Sequence, residues 1–311
     1  MSPWLYIGAL IGSAVLSAVV VQVSITAAHR LGALDHPDGQ RKTQDRPIPK
    51  LGGVAVAAAF SFATFLILVV TAQSGALTLA AAVLLPALAA ACIGFFDDRQ
   101  PMNAYLRLGL QACVGVLAWF TGIRVSVTGN VVLDAVLLVL WVVVVVNGVN
   151  LLDNSDGLAG STVMIGAIAA SVIAVFYGQS MVSLLGTALV GVTVGFLWHN
   201  WFPAKVYLGD AGAYFLGSLL ALLIVRLRPM DAPGWIGVLI AILLVLLPVT
   251  DTSFVVINRL RQRIHPFTAG RDHLSHQLQR RGASVPGSVF ALQGISLAGA
   301  AAAVVLALAY R

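Results

Sequence analysis
The chain has 311 residues, 59% of them hydrophobic and 10% charged, with a mean hydropathy of +0.95 and a formal net charge of +6. That balance excludes a soluble globular domain and places the chain in a bilayer. The basic pI near 9.7 does not point to nucleic acid, because no soluble basic segment interleaved with aromatics carries it.

Taken in chain order, ten apolar segments are long enough to cross a hydrocarbon core of ~30 Å as helix. The first, at 3–28, has neither a basic leader nor a small-residue cleavage site, so it reads as a retained span. The connection after it, HPDGQRKTQDRPIPKLGG, is a stiff Pro- and Gly-punctuated loop that delivers cations, Lys42 among them. Spans follow at 51–72 and 78–96, and the latter ends in GFFDDRQP. Asp97 and Asp98 sit there at the negative end of a helix dipole, which disfavours each carboxylate by roughly 0.3 to 1 kcal/mol unless a cation compensates. Arg99 could be that cation, or a divalent metal nearby.

Spans at 104–122 and 131–149 lead to NGVNLLDNSDGLAG. Asn150, Asp153 and Asp156 recur every three residues, so a helical continuation would put neighbouring members on one face. Short carboxylates and amides there suit a hard cation, a base edge or a sugar hydroxyl. Capping of the next helix by Asp156 accounts for one of these residues and not the rest. After spans at 158–177 and 181–198 comes WHNWFPAKVYLGDAGAYFLGS, where Asp210 either caps the span at 211–227 or shares Mg²⁺ with a phosphate brought close by Gly209 and Gly212. Asn200 and Lys205 add an amide and a cation to the same loop.

The ninth span, 235–257, carries Asp251, an intramembrane carboxylate whose structural partner would be Arg259 or Arg261. The last connection, RLRQRIHPFTAGRDHLSHQLQRRG, holds Arg271, His273 and His276 together before a tenth span at 286–310. A zinc site lacks a third strong ligand. Arg and His beside acidic residues fit a metal-bound diphosphate better. Cys92 and Cys113 fall inside spans without CxxC spacing and read as packing residues.

Orientation follows from the cations: 14 Lys and Arg lie in the odd-to-even connections and 4 on the other side, so the first set is expected in the cytoplasm and both termini outside. All twelve acidic residues are Asp, and ten of them, with all six His, fall on that same side. Ionisable groups gathered at one face suit a catalyst at the membrane surface, whereas a transporter would place them near the midplane.

In order, RKxxxxPxPKLGG, GFFDD, NGVNLLDNSDGLAG, FLWHNWFPAKVYLGDAG and HPFTAGRDHLSH resemble the polyprenyl-phosphate N-acetylhexosamine-1-phosphate transferases (glycosyltransferase family 4). The likeness runs from about Arg41 to His276. It implies an all-α polytopic integral membrane protein of about ten spans, one transferase domain over 1–311, in the bacterial inner membrane with its active site cytoplasmic. The implied reaction moves N-acetylhexosamine 1-phosphate from a UDP-sugar to undecaprenyl phosphate, releasing UMP, with Mg²⁺ or alternatively Mn²⁺; a homodimer stays open. By the same resemblance Asp97 is the candidate base that activates the lipid phosphate and Asp98 its neighbour. Asp153 and Asp156 are the paired nucleotide-site and catalytic carboxylates, with Asp210 the metal ligand and Asp153 beside it. His273 and His276 resemble the family's histidine motif at the diphosphate, and Lys42, Asn150, Asn200 and Arg271 are expected, from the residues themselves, to bind substrate with them. Gln44 and Ser275 stand where many members have His. The last loop, lacking a triple-His run, looks more like the N-acetylglucosamine-1-phosphate branch than the muramoyl-pentapeptide branch. A transporter, or a scaffold without catalysis, is the competing class.

Overall fold
The computed structural model describes residues 1–36, 46–227, 233–268 and 270–310. Among the described residues there are twelve helices: α1 Pro3–Leu31, α2 Gly52–Thr71, α3 Ala76–Arg99, α4 Ala104–Phe120, α5 Val131–Leu152, α6 Leu158–Phe176, α7 Ser180–Asn200, α8 Gly209–Val225, α9 Gly234–Leu244, α10 Leu246–Arg261, α11 Leu274–Arg280 and α12 Val285–Ala309. Seven are long and apolar enough to span a bilayer, and α4 and α8 are shorter apolar helices. The protein is an all-α, multi-pass membrane protein. Large apolar side chains such as Val15, Phe65, Leu140 and Leu297 are exposed on the bundle's outside, where only lipid would cover them. Cys92 and Cys113 also lie on that surface, so they are not packing residues of the core.

Every expected span is helical, but the ninth is broken. α9 and α10 meet at 77°, with Val245 non-helical at φ −119. Pro248, in the first turn of α10, has no N–H to return to Leu244, so the ladder loses a bond at the bend.

α8 lies at the centre, with every residue from Ala211 to Ile224 buried. Three neighbours approach its backbone through glycine. A Cβ on Gly53 of α2 would collide with Gly212, one on Gly94 of α3 with Asp210 and Ala211, and one on Gly217 with Val146 of α5. Small residues at such crossings are how helices in lipid pack closely. The consequence is local: the first turn of α8 is drawn against the ends of α3 and α5.

Before α2, a short antiparallel pair, β1 Leu34–Asp35 and β2 Ile48–Pro49, aligns Leu34 with Pro49 and Asp35 with Ile48. It docks on the α7–α8 connection through Tyr207 N–H to Pro49 O, 2.8 Å.

Candidate active site
All five odd-to-even connections meet in a cleft of about 390 Å³. The β1–β2 stem gives it Asp35 and Lys50, and α3 gives Asp98. The α5–α6 turn supplies Asp153, Asn154, Ser155 and Asp156. Asn200, Phe202, Tyr207, Gly209 and Asp210 come from the α7–α8 region, and Arg271, His276, Gln279 and Val285 from the segment before and into α12.

The α5–α6 turn is the hub. α5 stops at Leu152, so Asp156 does not continue the helical face expected from its spacing; Gly157, left-handed at φ +77, turns the chain instead. Asp156 accepts the Ala204 N–H at 2.9 Å. Asn200 joins the two loops, accepting from Gly157 N at 3.1 Å and donating to Val206 O at 2.9 Å. Much of its hydrogen-bonding capacity is thus structural. Ser275, at the position where the resemblance expects His, gives its hydroxyl to Asn154 at 2.6 Å and ties α11 to the same turn.

Around the N-terminus of α8 three carboxylates converge. Asp98 accepts from Asp210 N (3.1 Å) and Ala211 N (3.0 Å). Asp153 accepts from Gly209 N, and Asn150 hydrogen-bonds the Asp210 carboxylate. Asp210 is the second residue of the helix and not its cap. The N–H groups expected to meet a phosphate are already taken by two Asp side chains, so the anion site of that helix end is filled from within. Burial, with Asp210 and Asp98 beside it, holds the Asp153 carboxyl well above the usual range. Burial also raises Asp156.

Asp97, by contrast, does not line the cleft. It is buried against α8 and α4, accepting from Tyr214 OH (2.8 Å) and Met102 N (2.7 Å), with Arg107 Nη1 at 3.6 Å. Arg99 is not its counter-ion, since that guanidinium lies over the Phe95 ring at 4.3 Å.

His273 is also turned away. Its Nδ1 meets Asp251 at 2.7 Å, so Asp251 pairs with neither Arg259 nor Arg261; Arg259 holds Asp272. His276 does reach the cleft, its ring 5.7 Å from that of His273. Burial first, then the neighbouring His273 and Arg271 side chains, push His276 down to about 4, so at neutral pH it is an uncharged imidazole. Lys205 is exposed and outside the cleft. Lys42 and Gln44 lie outside the described residues. The cation that the stem does supply is Lys50, 2.6 Å from Asp35.

Sequence reasoning left out Asp35, Phe202, Tyr207 and Gln279. Tyr207, whose phenol burial pushes up so that it stays protonated, stood inside a motif already singled out. Asp35 and Gln279 gave no signal of their own.

Among the described residues no three carboxylate, imidazole or thiolate side chains close into a metal cage. Nor does any of Asp98, Asp153, Asp156 or Asp210 have a Lys, Arg or His of the described residues at ion-pair distance. One or two carboxylates open to a cleft are donors that a Mg²⁺ completed by phosphate oxygens and water would fit.

A profile of glycosyl transferase family 4 matches residues 80–228. A probable undecaprenyl-phosphate N-acetylglucosaminyl 1-phosphate transferase of Bacillus subtilis is 27% identical over 97% of this chain and 84% of its own length. A decaprenyl-phosphate N-acetylglucosaminephosphotransferase of Mycolicibacterium smegmatis is 28% identical over 83% and 71%. A phospho-N-acetylmuramoyl-pentapeptide-transferase of Streptococcus pyogenes is 30% identical over 72% and 70%. Similarity to the N-acetylglucosamine-handling relatives thus extends further along the chain.

Proposed function
The chain belongs to glycosyl transferase family 4, and from that premise we propose that it transfers N-acetylglucosamine 1-phosphate from UDP-N-acetylglucosamine to undecaprenyl phosphate at the cytoplasmic face of the inner membrane. The products would be undecaprenyl-diphosphate-N-acetylglucosamine and UMP, the first membrane step of a cell-surface polysaccharide. The observation that carries this reading is the convergence of five connections on one polar cleft at the end of an apolar bundle, with Asp98, Asp153, Asp156 and Asp210 on its wall and Lys50, Arg271 and His276 beside them.

The reaction joins two anions. A lipid phosphate oxygen attacks the sugar-bearing phosphorus, a new P–O bond forms, and the bond to UMP breaks. Proximity and charge screening are therefore the main demands. Asp210 and Asp153 are the residues that would hold Mg²⁺, which when bound supplies charge neutralisation of the diphosphate. Arg271 offers a planar fork for its oxygens, and neutral His276 a hydrogen bond without added charge. Of the pair, Asp98 lines the cleft and Asp97 does not, and Asp98 would act by holding Asp210 in position through its hydrogen bonds to the start of α8. The Asn154, Ser155 and Gln279 side of the cleft offers amides and a hydroxyl suited to a sugar.

The test is turnover by detergent-purified protein given undecaprenyl phosphate and, in parallel, UDP-N-acetylglucosamine, other UDP-N-acetylhexosamines and UDP-N-acetylmuramoyl-pentapeptide. UMP release and a labelled lipid product with the first donor are the expected result. Product only with the pentapeptide donor would move the chain to that branch; no UMP with any donor would favour a scaffold or transporter.

A further inference from the structure
α10 meets the connection ahead of α12 through two acid–base contacts of opposite sense. Asp251, 1% exposed, accepts from His273 Nδ1 at 2.7 Å and Leu274 N at 2.8 Å. Arg259, 6% exposed, grips Asp272 with Nε at 2.8 Å and Nη2 at 2.7 Å, and gives Nη1 to Pro266 O at 2.6 Å. Residues i and i+8 fall on one helix stripe, so a single face of α10 holds two adjacent loop residues, 272 and 273. Flanking that held pair are Arg271, directly before Asp272, and His276, three residues after His273 in the first turn of α11. Both line the cleft.

Buried ionic groups are a poor way to gain stability, since desolvation offsets most of the attraction. What such groups do offer is directionality: a carboxylate that accepts from a ring nitrogen and the next backbone N–H fixes both the ring and the start of α11. We propose that Asp251 and Arg259 are positioning residues that hold Arg271 and His276 at the register where they meet the donor diphosphate, so that affinity for the UDP-sugar, and not for the lipid, depends on α10. This rests on the functional reading above. Neither residue lines the cleft.

The experiment compares wild type with Asp251→Asn, Asp272→Asn, Arg259→Asp and the charge swap Arg259→Asp with Asp272→Arg, varying UDP-N-acetylglucosamine and undecaprenyl phosphate separately. For Asp251→Asn and Asp272→Asn the donor KM should rise about tenfold while kcat falls less than about threefold and the lipid KM stays put, the pattern of lost ground-state binding. The swap should recover part of the donor affinity that Arg259→Asp alone loses. Unchanged donor KM in both Asn variants, or loss of kcat with both KM values intact, would overturn the proposal and leave the contacts as packing. If Asp251→Asn does not purify as folded protein, Asp272→Asn and the swap decide. An inactive wild type would count against the functional reading instead. Calorimetry of UDP-N-acetylglucosamine binding then decides for the clamp: weaker binding in the variants supports it, equal binding sinks it.

Discussion

Asp98 closes the N-terminus of α8 by accepting the backbone N–H of Asp210 at 3.1 Å, although 112 residues separate the two in sequence. A side chain read as a neighbour of the catalytic Asp is therefore also the latch between α3 and α8. Its position and that of Asp210 are set by one contact.

Removing that latch should affect both the fold and the chemistry. Asp98→Ala leaves the Asp210 and Ala211 N–H groups without their acceptor and should lower stability in detergent by about 1 to 3 kcal/mol. It should also reduce turnover by about two orders of magnitude through misplacement of Asp210. Asp98→Asn, which keeps one acceptor oxygen, should fall between wild type and Ala in melting temperature. Thermal melts alongside UMP release check this; wild-type turnover in Asp98→Ala would remove Asp98 from the site.

Tyr214 and Asp97 should behave in the opposite way. Tyr214→Phe deletes one of the donors to a buried carboxylate, a hydrogen bond to charge worth roughly 1.5 to 3 kcal/mol. Turnover should stay within about threefold of wild type, because no transition-state contact is lost. A Tyr214→Phe protein with an unchanged melt and a large fall in kcat would show that Asp97 takes part in the reaction after all.

This contrast marks how far the sequence could be read. The spans were legible because each is a predominantly apolar run, broken at most by isolated polar residues such as Asp134 and Asp251, and the site segments because polar residues crowd into five short stretches of one side. Which of Asp97 and Asp98 faces the cleft was not legible. Adjacent helical residues point about 100° apart, and the choice is made by where α8 sits, which depends on Gly53, Gly94 and Gly217 admitting its neighbours. The partner of Asp251 was hidden for a similar reason: His273 lies 22 residues on and reaches it only because the chain reverses after α10. The bend at Val245 did have a local sign in Pro248, but the surrounding hydropathy is high enough to read straight through it.

Topology gives a third prediction. With 14 basic residues in the odd-to-even connections against 4 elsewhere, a reporter fused after the C-terminus should be active only outside the cytoplasm, and one inserted at Gly282 only inside. The reverse pattern would put the cleft on the wrong side of the membrane for a nucleotide-sugar.

The last prediction concerns protons and Mg²⁺ at Asp153. Burial, Asp210 and Asp98 together raise its carboxyl well above the usual range, so the folded protein holds a proton there at pH values where an unfolded Asp is ionised. The sign follows directly. A raised folded value contributes stability below the unfolded pKa of about 3.9, and that contribution is lost as pH rises through the folded one. Metal-free protein should accordingly melt lower as pH increases across that interval. Mg²⁺ needs the ionised form and competes with the same proton, so its affinity should rise with pH, by up to about tenfold per unit while Asp153 is titrating, and then level off. Calorimetric titration of Mg²⁺ into the purified protein, and melts with and without the ion, at several pH values would measure both. Asp153→Asn should flatten the pH dependence, and Asp210→Asn should fold yet bind Mg²⁺ weakly and release almost no UMP. A Mg²⁺ affinity independent of pH in wild type, or undiminished in Asp210→Asn, would place the ion elsewhere in the cleft.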